Sequence, residues 1–159
     1  MGIGILAFLG ILFWAGKENA RQNEAAGSAI KIDSSLAASV SSFDFGVIRM
    51  KDGNVEKMFE VKNESEKEIN LADVFTSCMC TTAYLEKEGK AQGPFGMPGH
   101  GLSTKPRLSI LPGETINVRV VFDPNAHGPA GVGLMERTVH LVEENGGEEV
   151  LSIRSMVTP

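Results

Sequence analysis

From Phe43 onward the apolar residues fall on alternate positions, and polar turn signals interrupt them at short intervals. Phe43, Phe45 and Val47 alternate ahead of the turn Lys51-Asp52-Gly53-Asn54. Phe59 and Val61 follow, closed by Asn63-Glu64-Ser65-Glu66, and Ile69, Leu71 and Phe75 line a third strand. After Leu111-Pro112-Gly113-Glu114, the residues Ile116, Val118, Val120 and Phe122 alternate with polar ones, the clearest half-buried strand in the chain. Val139 and Leu141 mark another, and Asn145-Gly146-Gly147 supplies hairpin chemistry into Leu151, Ile153 and Val157. Period-two alternation places every second side chain on one face of a sheet. Short strands at this spacing, with no comparable amphipathic helix, predict an all-β domain: an immunoglobulin-like antiparallel β-sandwich of about seven strands. Its expected span is residues 40–159, with an inserted Gly/Pro-rich loop at 86–107.

The pattern before this domain is different. An uncharged run opens at Gly2 and closes at Gly16, with Trp14 and Lys17 at its end. As a helix it rises only ~22 Å, short of the ~30 Å hydrocarbon core. Local thinning and interfacial Trp and Lys would make up the difference. We expect residues 1–16 to form one N-terminal transmembrane helix that anchors the chain. No basic n-region and no small-x-small pair supports a cleaved signal peptide instead. Residues 17–39, rich in Ala, Ser, Asn and Glu, read as a flexible or partly helical linker. Lys17 and Arg21 beyond the apolar run would, on charge alone, hold the domain on the cytoplasmic side.

Composition narrows the function classes. A chain of 159 residues with 42% hydrophobic residues suffices for one core plus an appendage. The net charge of −5, with no Lys/Arg cluster, argues against a nucleic-acid partner. Two cysteines are too few for a disulfide scaffold. They sit together in Ser77-Cys78-Met79-Cys80-Thr81, and two later Gly/Pro loops add four further soft or imidazole ligands.

Several of these motifs occur together in one known family. Phe43-x-Phe45-Gly46-x-Ile48, Phe59-x-Val61-x-Asn63, Ser77-Cys78-Met79-Cys80-Thr81, Pro112-Gly113-Glu114 and the strand end at Asp123 resemble the bacterial domain-of-unknown-function 1573 family. Its members look like Hydin-type and major-sperm-protein-type Ig-like modules. The resemblance covers about residues 42–157, and Cys-x-Cys is its most specific part. Met79 departs from the glycine usual there, and residues 86–107 are longer than expected. The resemblance implies an Ig-like fold and an extracytoplasmic location at the bacterial cell membrane. It implies no activity.

Three readings of the cysteines compete. In extended backbone Cys78 and Cys80 point to one face and present two sulfurs together. Thiolates and thioethers select Cu(I), imidazole is compatible, and a four-ligand set would suit Zn(II). Met97 and His100 in residues 91–106, with His127 and Met135 in residues 123–136, are the candidate partners. A second reading is redox chemistry, since a Cys-x-Cys disulfide closes a small ring. That reading needs a basic group beside the thiolate, and none stands nearby in sequence. The third is a pair of small buried residues ending a strand. Ser77, His100 and Asp123 make a poor hydrolase triad without a nucleophile elbow. His140 reads as a solvent-facing strand residue, and the acidic residues 143–149 as a solvated turn. The expectation from sequence is a membrane-anchored, non-enzymatic module. It would bind a protein or envelope partner through its loops, with Cu(I) or Zn(II) binding and thiol redox as the alternatives.

Overall fold

The computed structural model describes residues 33–159. They form two five-stranded sheets packed face to face, one in the order β1-β3-β8-β5-β6 and the other β2-β10-β9-β4-β7. The first contains β1 (Leu36–Ala38), β3 (Val55–Asn63), β5 (Thr81–Lys87), β6 (Lys90–Phe95) and β8 (Thr115–Phe122). The second contains β2 (Ser42–Arg49), β4 (Ile69–Thr76), β7 (Ser109–Ile110), β9 (Gly133–Glu143) and β10 (Glu148–Thr158). The alternation legible in β8 and β10 is the inner face: Ile116, Val118, Val120 and Phe122 face Leu151, Ile153 and Val157 across one core with Phe59, Leu85, Val139 and Leu141. Each such fully buried side chain contributes about 1.5–3 kcal/mol.

Four expectations change. The sandwich begins before Val40, because Leu36–Ala38 pairs antiparallel with β3 and Leu36 is buried. The sheets are not wholly antiparallel, since β2 runs parallel to β10. Period-two alternation is identical in both pairings, and no hairpin joins these distant segments to fix the direction. The expected loop at residues 86–107 holds β6, which pairs with β5 and puts Phe95 into the core. Gly93 is required there: a Cβ would stand 2.8 Å from the Ala83 carbonyl oxygen, at φ +129°. Finally, two irregularities switch faces. Gly46 lies at φ +70° where the β2–β10 register shifts, so Ile48 packs against the core while Val47 is 71% exposed. A shift between Leu71 and Asp73 makes Val74 the core residue in place of Phe75, whose ring stacks on His140 outside. An extra residue in a strand reverses the parity of all that follows.

Among the described residues no helix is long and apolar enough to cross a membrane. The expected anchor at residues 1–16 and residues 17–32 of the expected linker lie outside the described residues.

Candidate functional site: a dithiol at one end of the sandwich

At Thr76 the chain leaves one sheet, and at Thr81 it enters the other. The four residues between are a turn, not the extended strand expected from the sequence. The Thr81 N–H donates to the Cys78 carbonyl at 3.1 Å, and the Asp123 N–H to the Cys80 carbonyl at 2.9 Å. Ser77 donates its N–H to Thr138 at 3.0 Å and accepts from the Thr138 N–H on its hydroxyl at 2.9 Å. The buried Thr76 hydroxyl sits 2.9 and 3.0 Å from the carbonyls of Cys78 and Thr81. The turn is thus tied to β4, β5, β9 and the residue that follows β8. Such a turn holds its side chains in fixed positions.

The two sulfurs meet on one side of this turn, 2.6 Å apart, with the Cys80 thiol donating to Cys78. Both cysteines are free. Cys80 is 3% exposed, whereas Cys78 is half-buried, and Met79 between them is 52% exposed and points to solvent. Two further residues arrive from the β8–β9 connection and from β9. In the first, the Asn125 side chain donates to the Met50 carbonyl at 2.7 Å and a 3₁₀ turn follows at Gly128–Gly131. The connection leaves His127 with Nε2 3.1 Å from the Cys78 sulfur. From β9, Arg137 brings Nε to 3.1 Å from the Cys80 sulfur, while its Nη1 donates to the Glu136 carbonyl and its Nη2 lies 3.0 Å from Met135 Sδ.

This surrounding separates the two thiols electrostatically. Burial pushes the Cys78 thiol up, but hydrogen bonds from the Cys80 thiol and amide, the His127 contact and the Arg137 charge outweigh it and bring Cys78 to about 7. Burial and the hydrogen bond donated to Cys78 push Cys80 up, against the opposing pull of Arg137 and Thr81. Arg137 loses some stability of its charge to burial and regains more from the two sulfurs beside it, Cys80 first. A half-exposed thiolate therefore stands beside an enclosed thiol, the arrangement that makes one cysteine a nucleophile and its neighbour a reserve.

Of the candidate ligands read from sequence, Cys78, Cys80 and His127 come together. Their donor atoms lie within 4.8 Å of one another, the group of that kind among the described residues. His100 stands outside it, exposed in a turn where its N–H donates to the Met97 carbonyl. Met97 is half-buried in that same turn, and the thioether that borders the cluster is Met135, held against Arg137. Arg137 itself was missed. The missing basic group lies 57 residues from Cys80 in sequence, beyond any local motif. One signal was available: Arg137 shares strand parity with Met135, Val139 and Leu141, so β9 aims a charge inward.

The model of the family described as protein of unknown function (DUF1573) matches residues 36–96, a stretch that includes the Cys-x-Cys turn. This agrees with the resemblance read from the motifs. Comparison with curated proteins gives no match. Among solved structures, a protein of unknown function from Porphyromonas gingivalis W83 is similar at TM-score 0.55 and 15% identity, over 76% of this chain and 46% of that one. The VesB protease of Vibrio cholerae is similar at TM-score 0.50 and 11% identity, over 77% of this chain and 32% of that one. The ASH / PapD-like domain of human CEP192 follows at TM-score 0.46 and 10% identity, over 82% of this chain and 92% of that domain. This chain thus spans less than half the length of the first two. At these identities the likeness concerns the fold alone, a two-sheet β-sandwich, a frame that hosts many unrelated functions.

Proposed function

We propose that the chain is a membrane-tethered Ig-like module whose Cys78–Cys80 pair exchanges disulfides with a cysteine-bearing protein partner on the extracytoplasmic side. The carrying observation is the convergence of one open and one enclosed sulfur on the same side of a turn held by backbone hydrogen bonds. His127 and Arg137 supply the basic surroundings that the redox reading requires. This reading gives the module a thiol chemistry in place of the purely recognitional role expected from sequence. The tether is residues 2–16, and the oxidising compartment is the one in which such a pair cycles.

In the reductive direction, the Cys78 thiolate attacks one sulfur of the partner's disulfide and expels the other, which takes up a proton. Cys80 then loses its proton and attacks the Cys78 sulfur of the mixed disulfide. The Cys78–Cys80 bond forms, and the partner's second thiolate leaves and is protonated. Two electrons and two protons have passed to the partner, and the reverse sequence oxidises it. Contacts from His127 and Arg137 that favour the Cys78 thiolate exist only in the reduced form, so they bias the pair towards giving its disulfide away. Equilibration in glutathione redox buffers, with the thiols counted by mass, tests the reading. We expect one reversible two-electron step with a potential above thioredoxin's ~−270 mV. A pair that never forms the Cys78–Cys80 bond in oxidised glutathione overturns it.

A further inference from the structure

We propose that, in its reduced form, the same end of the sandwich binds one Cu(I) ion through Cys78 Sγ, Cys80 Sγ and His127 Nε2. This goes beyond disulfide exchange and does not depend on it, because a ligand set needs no partner and no electron transfer. Two thiolates and an imidazole are a soft donor set of the kind that selects Cu(I). All three atoms are already within 4.8 Å of one another, from two loops whose backbones are pinned by hydrogen bonds.

Charge separates the monovalent ion from the divalent one. Cu(I) with two thiolates carries a net charge of minus one, which the half-buried Arg137 guanidinium beside Cys80 neutralises. Zn(II) with two thiolates is already neutral. The same arginine would then leave an uncompensated positive charge in a site closed on one side by the core, a costly arrangement. Three soft or borderline donors converge here, one fewer than the four protein ligands of a structural Zn(II) site. Two sulfurs on one ion stand about 3.7 Å apart at metal–sulfur distances of ~2.3 Å. Binding therefore draws the Cys78 sulfur away from Cys80, towards the solvent side on which it is already open. Met135 Sδ, 3.0 Å from Arg137 Nη2, borders the site as a further soft atom.

The test uses the full chain in detergent, reduced and oxygen-free, titrated with Cu(I) and separately with Zn(II) against competing chelators. We expect one Cu(I) per chain, abolished in Cys78→Ser/Cys80→Ser and weakened at least tenfold in His127→Ala, with circular dichroism unchanged in each. Arg137→Gln should weaken Cu(I) and leave Zn(II) unaffected or tighter. Cu(I) affinity that is indifferent to His127→Ala, or Zn(II) bound as tightly as Cu(I), overturns the assignment. Failure of disulfide exchange in metal-free protein would sink the redox reading and leave this titration standing, so the two fail separately.

Discussion

The two ends of the sandwich both bury polar side chains, and they use them in opposite ways. At the end away from the cysteines, Glu143 is 2% exposed on β9. Its Oε1 accepts from the Ser34 hydroxyl at 2.6 Å and from the N–H groups of Ser35 and Leu36 at 2.8 and 3.2 Å; its Oε2 accepts from Asn145 at 2.9 Å. Asn63 nearby is equally saturated, donating to the carbonyls of Lys67 and Ile110 and accepting from Ser65. Every valence there is spent on holding β1 and the turns in place. At the cysteine end the contacts of the turn are met by backbone, serine and threonine, while the Cys78 sulfur keeps a path to solvent. Burial of polarity alone does not mark a reactive site. An ionisable sulfur beside an opening, with basic groups around it, does.

The sharpest way to break this contrast is to delete one group from each end. Glu143→Ala leaves the Ser35 N–H without its acceptor and the Leu36 N–H with only the Ser34 hydroxyl at 3.0 Å, and should lower stability by roughly 3 kcal/mol, read as a fall in the urea midpoint. Alkylation of Cys78 should be unchanged. If the deletion instead alters thiol reactivity, the two ends are coupled and the comparison fails.

Cys78→Ser and Cys80→Ser are expected to do the reverse. Each should abolish disulfide exchange while changing stability by no more than about 1 kcal/mol, since a half-buried or small sulfur carries little core volume. In the wild type, limited iodoacetamide should label Cys78 first and leave Cys80 protected, as peptide mapping will read.

The pH dependence tests the charge around the pair. Cys78 alkylation should rise through a midpoint near 7, where its thiolate forms. Arg137→Gln removes a charge that favours the anion, so the midpoint must move upward, towards the ordinary thiol value near 8.5. A downward move would show that Arg137 acts on the thiols by something other than its charge.

The smallest effect is reserved for Met79. Its side chain points to solvent from the turn, so Met79→Ala should shift stability by less than about 0.5 kcal/mol and leave the alkylation rate as it was. A large change in rate would make Met79 part of the site, contrary to its outward direction.

Much of the core was legible in alternation. Ile116 through Phe122 and Leu151 through Val157 are inward where the period puts them, and the turn residues fall between strands as their chemistry requires. Val47 and Phe75 were not, because a one-residue slip at Gly46 and between Leu71 and Asp73 leaves composition untouched and reverses the face. Of the site, the two cysteines and His127 were legible as candidates. Arg137 was not, and His100 was given a place that the fold leaves in solvent.

The sequence by itself determined the class of fold, the nearness of the two cysteines at the end of a strand, and His127 as one candidate to serve them. Those follow from local periods and residue chemistry, which act over a few positions. Only the tertiary structure decided the parallel pairing of β2 with β10, the extra strands at Leu36–Ala38 and Lys90–Phe95, and the choice of partners for the sulfurs. These depend on which strands lie side by side and which loops meet at one end of the sandwich. That contact is set by the packing of two whole sheets, and no local period along the chain records it.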